Sequence, residues 1–182
     1  MKMKKFAVLG LALLASLFLL ATPDGARAGS DENTLLMDLK YGQVVIKLRT
    51  DLAPKHVARI KKLVREGFYD GIVFHRVIEG FMAQSGDPTG TGTGGSSYPD
   101  LKAEFTSAPY VRGTLGMARS SSPNSANSQF FITFRSAEFL DGKYTVWGKV
   151  IKGMEFVDMI ARGEPPANPD KIIRMQVAAD AK

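Results

Sequence analysis

Short strand-like runs dominate residues 35–177 and leave room for only two helices. Residues 35–50 form two alternating runs separated by YGQ, which predicts an opening β-hairpin. The runs that follow are IVFHRVI, FMAQSG, TLGMAR, QFFITF, YTVWGKV and IIRMQVA, with glycine, proline and serine clusters between them. Six to eight short strands with two helices exclude a repeating βαβ layout. The pattern predicts a mostly antiparallel sheet, closed into a barrel or folded as a sandwich, with helices covering its ends.

The two helices are predicted from the spacing of apolar residues. In residues 53–67, Pro54 suits a first turn and Gly67 suits a helix stop. The apolar residues at helical spacing between them are Val57, Ile60, Leu63 and Val64. Basic residues on the opposite face predict a solvated surface. The second predicted helix lies within residues 153–163, and its apolar stripe is Phe156, Met159 and Ile160.

The first 28 residues have the order of a secretory signal peptide. Three lysines precede an apolar run of 16 residues, from position 6 to position 21, and ARA follows at positions 26–28. The run is shorter than the roughly 20 residues of a membrane-spanning helix. We therefore predict cleavage after Ala28, one domain over residues 29–182, and export to the periplasm or the medium. An uncleaved anchor is the alternative; after cleavage we expect no membrane contact.

Charge and cysteine content narrow the function further. The chain has 24 Lys and Arg, 18 Asp and Glu, a formal net charge of +6, and no cysteine. Residues 1–28 hold four of the basic residues and one of the acidic residues, so 20 and 17 remain and the net charge becomes +3. A charge this small and mixed does not indicate nucleic acid binding. Without cysteine, a lipid-modified cysteine, disulfides and thiolate chemistry are excluded.

Three common kinds of site are also excluded. The only histidines are His56 and His75, and the loop RSSSPNSANSQ lacks a nucleophile elbow, so a hydrolase is not indicated. Two distant histidines fit no zinc spacing, and no carboxylates cluster as in a calcium loop. The segment GTGTGG, residues 90–95, satisfies G-x-G-x-x-G, but SSYPDLKAEF follows it instead of a helix. It therefore predicts a mobile glycine loop, and no cofactor is expected.

The segment FHRVIEGFMAQSGD, residues 74–87, places a cation and an amide among bulky apolar side chains. Arg76 and Gln84 are costly on an apolar wall unless they are paired or face water. Met82 and Gln84 are two residues apart, so on a strand they point to the same side. Two interpretations follow from this segment: solvent-facing residues of an ordinary strand, or a cleft that binds an apolar group together with a carbonyl.

This segment and three others together resemble one protein family. The three others are GTGTGG, GTLGMARSSSPNSANSQFFITF and FLDGKYTVWGKVIKGMEFVD. Taken together, the four segments are similar to the cyclophilin-type peptidyl-prolyl isomerases, and the similarity runs from about residue 35 to residue 177. The resemblance implies a closed eight-stranded antiparallel barrel capped by two helices. It also implies an enzyme that isomerises X-Pro bonds of extended or unfolded polypeptides, which we expect to be a monomer.

The resemblance also implies the site residues. Arg76 would be the catalytic residue and Gln84 the neighbour that orients it. Phe81, Met82, Phe131 and Leu140 would form the pocket for the proline ring. Ala118, Arg119 and Gln129 would line the groove along the peptide backbone. Phe139 and Tyr144 would stand at the rim. His75 precedes the arginine as in the family, and a structural role and a chemical role both stay open for it.

The chain departs from the family at the rim. Members most sensitive to cyclosporin carry tryptophan where this chain has Phe139, and often histidine where it has Tyr144, so weak cyclosporin binding is expected. Two other functions would fit parts of this sequence. A proline-peptide binding module without catalysis would not need Arg76. A chaperone using apolar surface outside the groove could coexist with isomerisation, but no added domain would supply that surface.

Overall fold

The computed structural model describes residues 31–181, and the predicted signal peptide lies outside them. The strands are β1 (Thr34–Leu39), β2 (Gly42–Leu48), β3 (Arg76–Ile78), β4 (Met82–Ser85), β5 (Thr114–Met117), β6 (Phe130–Thr133), β7 (Val146–Lys152) and β8 (Arg174–Val177). The helices are α1 (Pro54–Arg65) and α2 (Met154–Asp158), with 3₁₀ turns at Glu138–Leu140 and Ala178–Asp180. Within residues 31–181, no helix has the length and apolar character needed to cross a membrane.

The eight strands form one antiparallel sheet in the order β3-β4-β6-β5-β7-β2-β1-β8, which confirms the mostly antiparallel prediction. The closed barrel that the resemblance implied is wrong, because β3 and β8 end the strand order without pairing and the sheet is an open half-barrel. Between these edges, residues 31–181 form isolated bridges alone, Val73 with Lys171 and Val77 with Gly163. The segment GEPPANPD, residues 163–170, has three prolines, which lack the N–H that a continuous ladder needs.

The predicted opening hairpin is confirmed. Strands β1 and β2 pair antiparallel from Thr34 opposite Lys47 to Leu39 opposite Gly42, so the turn has two residues. Alternate side chains on both strands are buried, as expected for a sheet with one face on the core.

Helix α1 confirms the first predicted helix. It begins at Pro54 and buries Val57, Ile60, Leu63 and Val64 as predicted, and it also buries His56. The sequence did not indicate what caps its start: the carboxylate of Glu104 accepts hydrogen bonds from the Lys55 and His56 backbone N–H groups at 3.1 and 3.0 Å. A distant carboxylate therefore replaces the missing side-chain cap at Ala53.

Helix α2 is shorter than predicted and exposes a different face. It ends at Asp158, so the expected stripe of Phe156, Met159 and Ile160 does not form along one helix. Met159 is 54% exposed, while Val157 is the buried helical residue. A stripe inferred from a 3.6-residue period requires the helix to continue, and here it makes little more than one turn.

The buried apolar residues form two clusters. The main core contains most of the buried apolar strand residues, with Trp147, Phe130 and Tyr69 among its largest side chains. A smaller group, called here the outer cluster, has as its buried members Met82, Tyr110, Phe131, Ala137, Leu140 and Val146. Phe81, Ala118 and Tyr144 pack against this outer cluster. The candidate site lies on it.

Candidate active site

On β4 and β6, the side chains of neighbouring residues point to opposite faces of the sheet. Ala83 and Phe130 belong to the main core, whereas Met82 and Phe131 belong to the outer cluster. Gln84 shares the face of Met82 because it is two residues further along β4, and Phe131 lies opposite it on β6. The predicted arrangement, an apolar floor next to an amide, is therefore present on one face.

A pocket of about 290 Å³ opens over the outer cluster. Its lining contains ten of the eleven residues that the sequence singled out: Arg76, Phe81, Met82, Gln84, Ala118, Arg119, Phe131, Phe139, Leu140 and Tyr144. The eleventh, Gln129, lies in an adjoining cavity of about 570 Å³ that shares Gln84, Ala118 and Arg119 with the pocket. The structure thus brings residues from three strands, one 3₁₀ turn and the loops between them to one continuous groove.

Arg76 stands at the edge of this pocket on strand β3. Its backbone is opposite Gln84, but its side chain is held elsewhere: Nε donates a hydrogen bond to Oε2 of Glu164 at 2.7 Å. The Arg76 and Glu164 side chains are 43% and 51% exposed. Within the described residues, Arg76 makes this hydrogen bond and none with Gln84, so the orienting role of Gln84 stays a prediction. Sequence reasoning missed Glu164 because it lies 88 positions away in a segment without strand periodicity.

Gln84 instead links the pocket to the glycine loop. Its Nε2 donates to Oε1 of Gln129 at 2.8 Å, and Gln129 Nε2 donates to the carbonyls of Gly92 and Gly94 at 3.0 and 2.8 Å. The two amides thus form a chain from the pocket floor to the loop. Their hydrogen bond holds both side chains in place, and both line the adjoining cavity.

The glycine loop folds around the buried carboxylate of Asp87. This carboxylate accepts hydrogen bonds from the backbone N–H groups of Thr89, Gly92 and Gly94 and from the Thr89 hydroxyl. Burial opposes ionisation of Asp87, but these hydrogen bonds outweigh it and lower its pKa to about 2. The sequence predicted a mobile glycine loop, and it did not show that the Asp87 carboxylate would accept these hydrogen bonds from the loop.

His75 lies beneath the same loop. Its side chain is buried, neither ring nitrogen has a hydrogen-bond partner among residues 31–181, and a Cβ added at Gly92 would lie 3.4 Å from Cδ2 of the ring. Burial lowers the pKa of His75, and Arg76 adds to this while Asp87 opposes it. His75 is not among the pocket-lining residues, so its position favours the structural role.

The rim is built from aromatic rings and one cation. The guanidinium of Arg119 lies 4.3 Å from the ring centroid of Tyr144, and it donates hydrogen bonds to the carbonyls of Ser120 and Lys143 at 2.9 and 3.0 Å. Phe139 is 61% exposed and packs on Phe81 with ring centroids 5.4 Å apart. Tyr110 extends the floor by stacking on Phe131, a contact that the sequence did not indicate.

The chemistry available in the pocket is electrostatic. Its ten lining residues include no serine, threonine, cysteine, histidine or carboxylate, and Tyr144 is the one hydroxyl-bearing side chain among them. No group of three or more His, Cys, Asp or Glu side chains in the described residues is arranged to hold a metal ion. The arrangement suits an apolar ring held next to a carbonyl that faces a guanidinium.

Comparison with known proteins gives consistent results. A family model for "Cyclophilin type peptidyl-prolyl cis-trans isomerase/CLD" matches residues 34–177. A Brucella suis biovar 1 protein named "Probable peptidyl-prolyl cis-trans isomerase" is 57% identical over 173 residues, covering 86% of this chain and 88% of that protein. The crystal structure of the cyclophilin AquaCyp293 from Hirschia baltica has a TM-score of 0.78 at 29% identity, covering 84% of this chain and 76% of that one.

A second solved structure was determined in the presence of a small peptide. The cyclophilin-type isomerase of Cryptosporidium parvum, crystallised in the presence of the dipeptide Ala-Pro, has a TM-score of 0.74 at 32% identity. The match covers 79% of this chain and 98% of that one.

Proposed function

The chain belongs to the cyclophilin-type peptidyl-prolyl cis-trans isomerases and is an enzyme of that type, and we propose that it acts on proline-containing extended polypeptides exported to the cell envelope. In this proposal the proline ring enters the pocket over the outer cluster, and Arg76 is the catalytic residue. The observation that carries it is that Arg76 lines the same pocket as Phe81, Met82 and Phe131.

Isomerisation needs no covalent intermediate. The barrier to rotation about a peptide bond is about 18–20 kcal/mol because amide resonance must be broken. In the twisted state the proline nitrogen loses conjugation and regains a lone pair. A guanidinium that donates to this nitrogen, or to the peptide carbonyl as it turns, binds the twisted state better than either planar state.

The donors of Arg76 suit this task. Nε is occupied by Glu164, and no protein acceptor within the described residues takes a hydrogen bond from either terminal nitrogen. The terminal fork is therefore available to a substrate. An arginine serves better than a lysine because its planar fork keeps one edge for the protein and another for the peptide.

The adjoining cavity supplies room for the rest of the peptide. It meets the pocket at Gln84, Ala118 and Arg119, so a chain whose proline is bound would continue past these residues. The Ala-Pro dipeptide present with the Cryptosporidium parvum structure supports proline-containing peptides as substrates.

The catalytic assignment is tested by a protease-coupled assay on a proline tetrapeptide with residues 29–182. We expect Arg76→Ala to lower kcat/KM by roughly 10²- to 10³-fold, about 3–4 kcal/mol, with little change in Tm. Arg174→Ala is the matched control, because Arg174 is an exposed arginine on strand β8 at the opposite edge of the sheet. Unchanged activity in Arg76→Ala, with proline peptides still bound, would leave a binding groove whose arginine is not catalytic.

Export rests on the N-terminal sequence. The basic start, the apolar run of 16 residues and ARA at positions 26–28 support a cleaved signal peptide and a periplasmic enzyme, with secretion to the medium as the alternative. The full chain expressed in a Gram-negative host should appear in the periplasmic fraction with Gly29 as its first residue. An intact N-terminus in the membrane fraction would indicate the uncleaved anchor. The mature enzyme should sediment as a monomer.

A further inference from the structure

An isolated backbone bridge, outside the eight-stranded sheet, places Glu164 next to Arg76. Val77 and Gly163 form an antiparallel bridge in which the Val77 N–H donates to the Gly163 carbonyl at 2.8 Å and the Gly163 N–H donates to the Val77 carbonyl at 2.9 Å. In antiparallel pairing the preceding residue on one side faces the following residue on the other. Arg76 therefore has Glu164 as one cross-strand neighbour and Gln84 as the other.

Only one of these two neighbours holds the guanidinium. Gln84 gives its amide hydrogen to Gln129, whereas the Glu164 carboxylate accepts from Arg76 Nε at 2.7 Å. In the part of the chain that the structure describes, this is the only hydrogen bond that the Arg76 side chain makes. A half-exposed arginine without it would populate several rotamers, because its long side chain has four rotatable bonds.

We propose that Glu164 is a positioning residue for catalysis: by holding Nε it turns the two terminal nitrogens of Arg76 toward the substrate. This inference rests on the proposed role of Arg76. A carboxylate at Nε suits the task because it leaves the terminal fork unoccupied. The pair is half-exposed and partly screened, so we expect its effect to be moderate and to fall mainly on turnover.

The first test replaces the carboxylate and keeps the shape. Glu164→Gln should lower kcat/KM about fivefold, with little change in the Kd of a proline peptide or in Tm, since the Val77–Gly163 bridge is made by backbone atoms. Glu79→Gln is the matched control: Glu79 Oε2 accepts from Arg162 Nε at 2.7 Å, joining the same two segments away from the pocket. It should leave kcat/KM unchanged.

The second test asks whether Glu164 acts through Arg76. In an Arg76→Ala background, Glu164→Gln should have no further effect. The ¹⁵N-labelled Arg76 Nε–H resonance, protected by its hydrogen bond, should shift and broaden in Glu164→Gln and stay in place in Glu79→Gln.

The outcomes separate this inference from the proposed function. A large loss in Arg76→Ala with no loss in Glu164→Gln would overturn the positioning role alone. An equal loss in Glu164→Gln with and without Arg76, or an equal loss in Glu79→Gln, would overturn it too, because Glu164 would then support only the segment. An unchanged kcat/KM in Arg76→Ala would overturn the proposed catalytic role of Arg76 itself.

Discussion

Gly116 lies directly opposite Phe131 across strands β5 and β6, and the phenyl ring covers it so closely that an added Cβ would lie 2.5 Å from Cζ. The same Cβ would lie 2.4 Å from the hydroxyl oxygen of Tyr110, whose ring stacks on Phe131. Contacts this short are not tolerated, so the pocket floor depends on the absence of a side chain at this position.

We therefore expect Gly116→Ala to push both rings out of place. Overpacking of this kind costs about 1–3 kcal/mol of stability, and kcat/KM should fall at least tenfold because Phe131 moves. Adding Tyr110→Phe removes the nearest clashing atom and should recover part of the Tm, since the Tyr110 hydroxyl has no hydrogen-bond partner in the described structure. Thermal unfolding and the isomerase assay measure both effects. Wild-type activity in Gly116→Ala would contradict a rigid floor.

Phe131→Ala should weaken proline recognition specifically. Phe131 is a wall of the pocket, and removing its ring takes away about 2 kcal/mol of apolar contact, roughly thirtyfold in affinity. Titration with a proline peptide and with its alanine analogue tests this. Only the proline peptide should lose affinity; equal losses would show that Phe131 supports the core in general.

Arg76→Lys should be impaired although the charge is kept. Lysine has no Nε–H to give to Glu164 while a planar fork faces the substrate. We expect kcat/KM to fall at least tenfold, with unchanged Tm, in the protease-coupled assay. Near-normal activity would mean that a positive charge alone is sufficient at this position.

Phe139 predicts weak inhibition by cyclosporin. Its phenyl ring is exposed at the rim and, unlike an indole, has no N–H to donate. A drug carbonyl that leaves water there would therefore lack a hydrogen-bond partner, at a cost of about 1–3 kcal/mol. We expect inhibition roughly ten- to a hundredfold weaker than in relatives with tryptophan at this position, and partial recovery in Phe139→Trp. Inhibition constants for the two proteins decide this. Nanomolar inhibition of the unmodified enzyme would contradict it.

Stability should fall as the pH drops below neutrality. Burial lowers the pKa of His56 and His75 below the usual value for histidine, against the opposing effect of Glu104 and Asp87 respectively. Below about pH 6.5 the unfolded chain therefore binds protons that the folded protein does not, and the free energy of unfolding decreases. The slope can reach about 1.4 kcal/mol per pH unit for each histidine. Urea unfolding between pH 7.5 and 5.5 measures it, and a flat profile would show that both histidines protonate in the folded state.

The pocket residues were predicted from the family resemblance, and local alternation accounted for one part of the pocket. Met82 and Gln84 point the same way on any strand, whereas the pairing of this strand with the one that carries Phe131 was found only in the structure. Glu164 and Tyr110 could not be predicted, because they reach the site through one isolated bridge and one ring stack between distant segments. The closed barrel that the resemblance implied failed for a related reason: neither the motifs nor the strand runs show whether a proline-rich connection lets the two edge strands pair.

The two faces of β4 and β6 also make this fold a practical scaffold for redesign. Side chains that line the pocket and side chains that form the main core alternate along the same short backbone, and they belong to separate clusters. Positions 82 and 131 can thus be randomised together in a library while 83 and 130 are kept. Such a library should yield variants with altered peptide selectivity at a small loss of foldability.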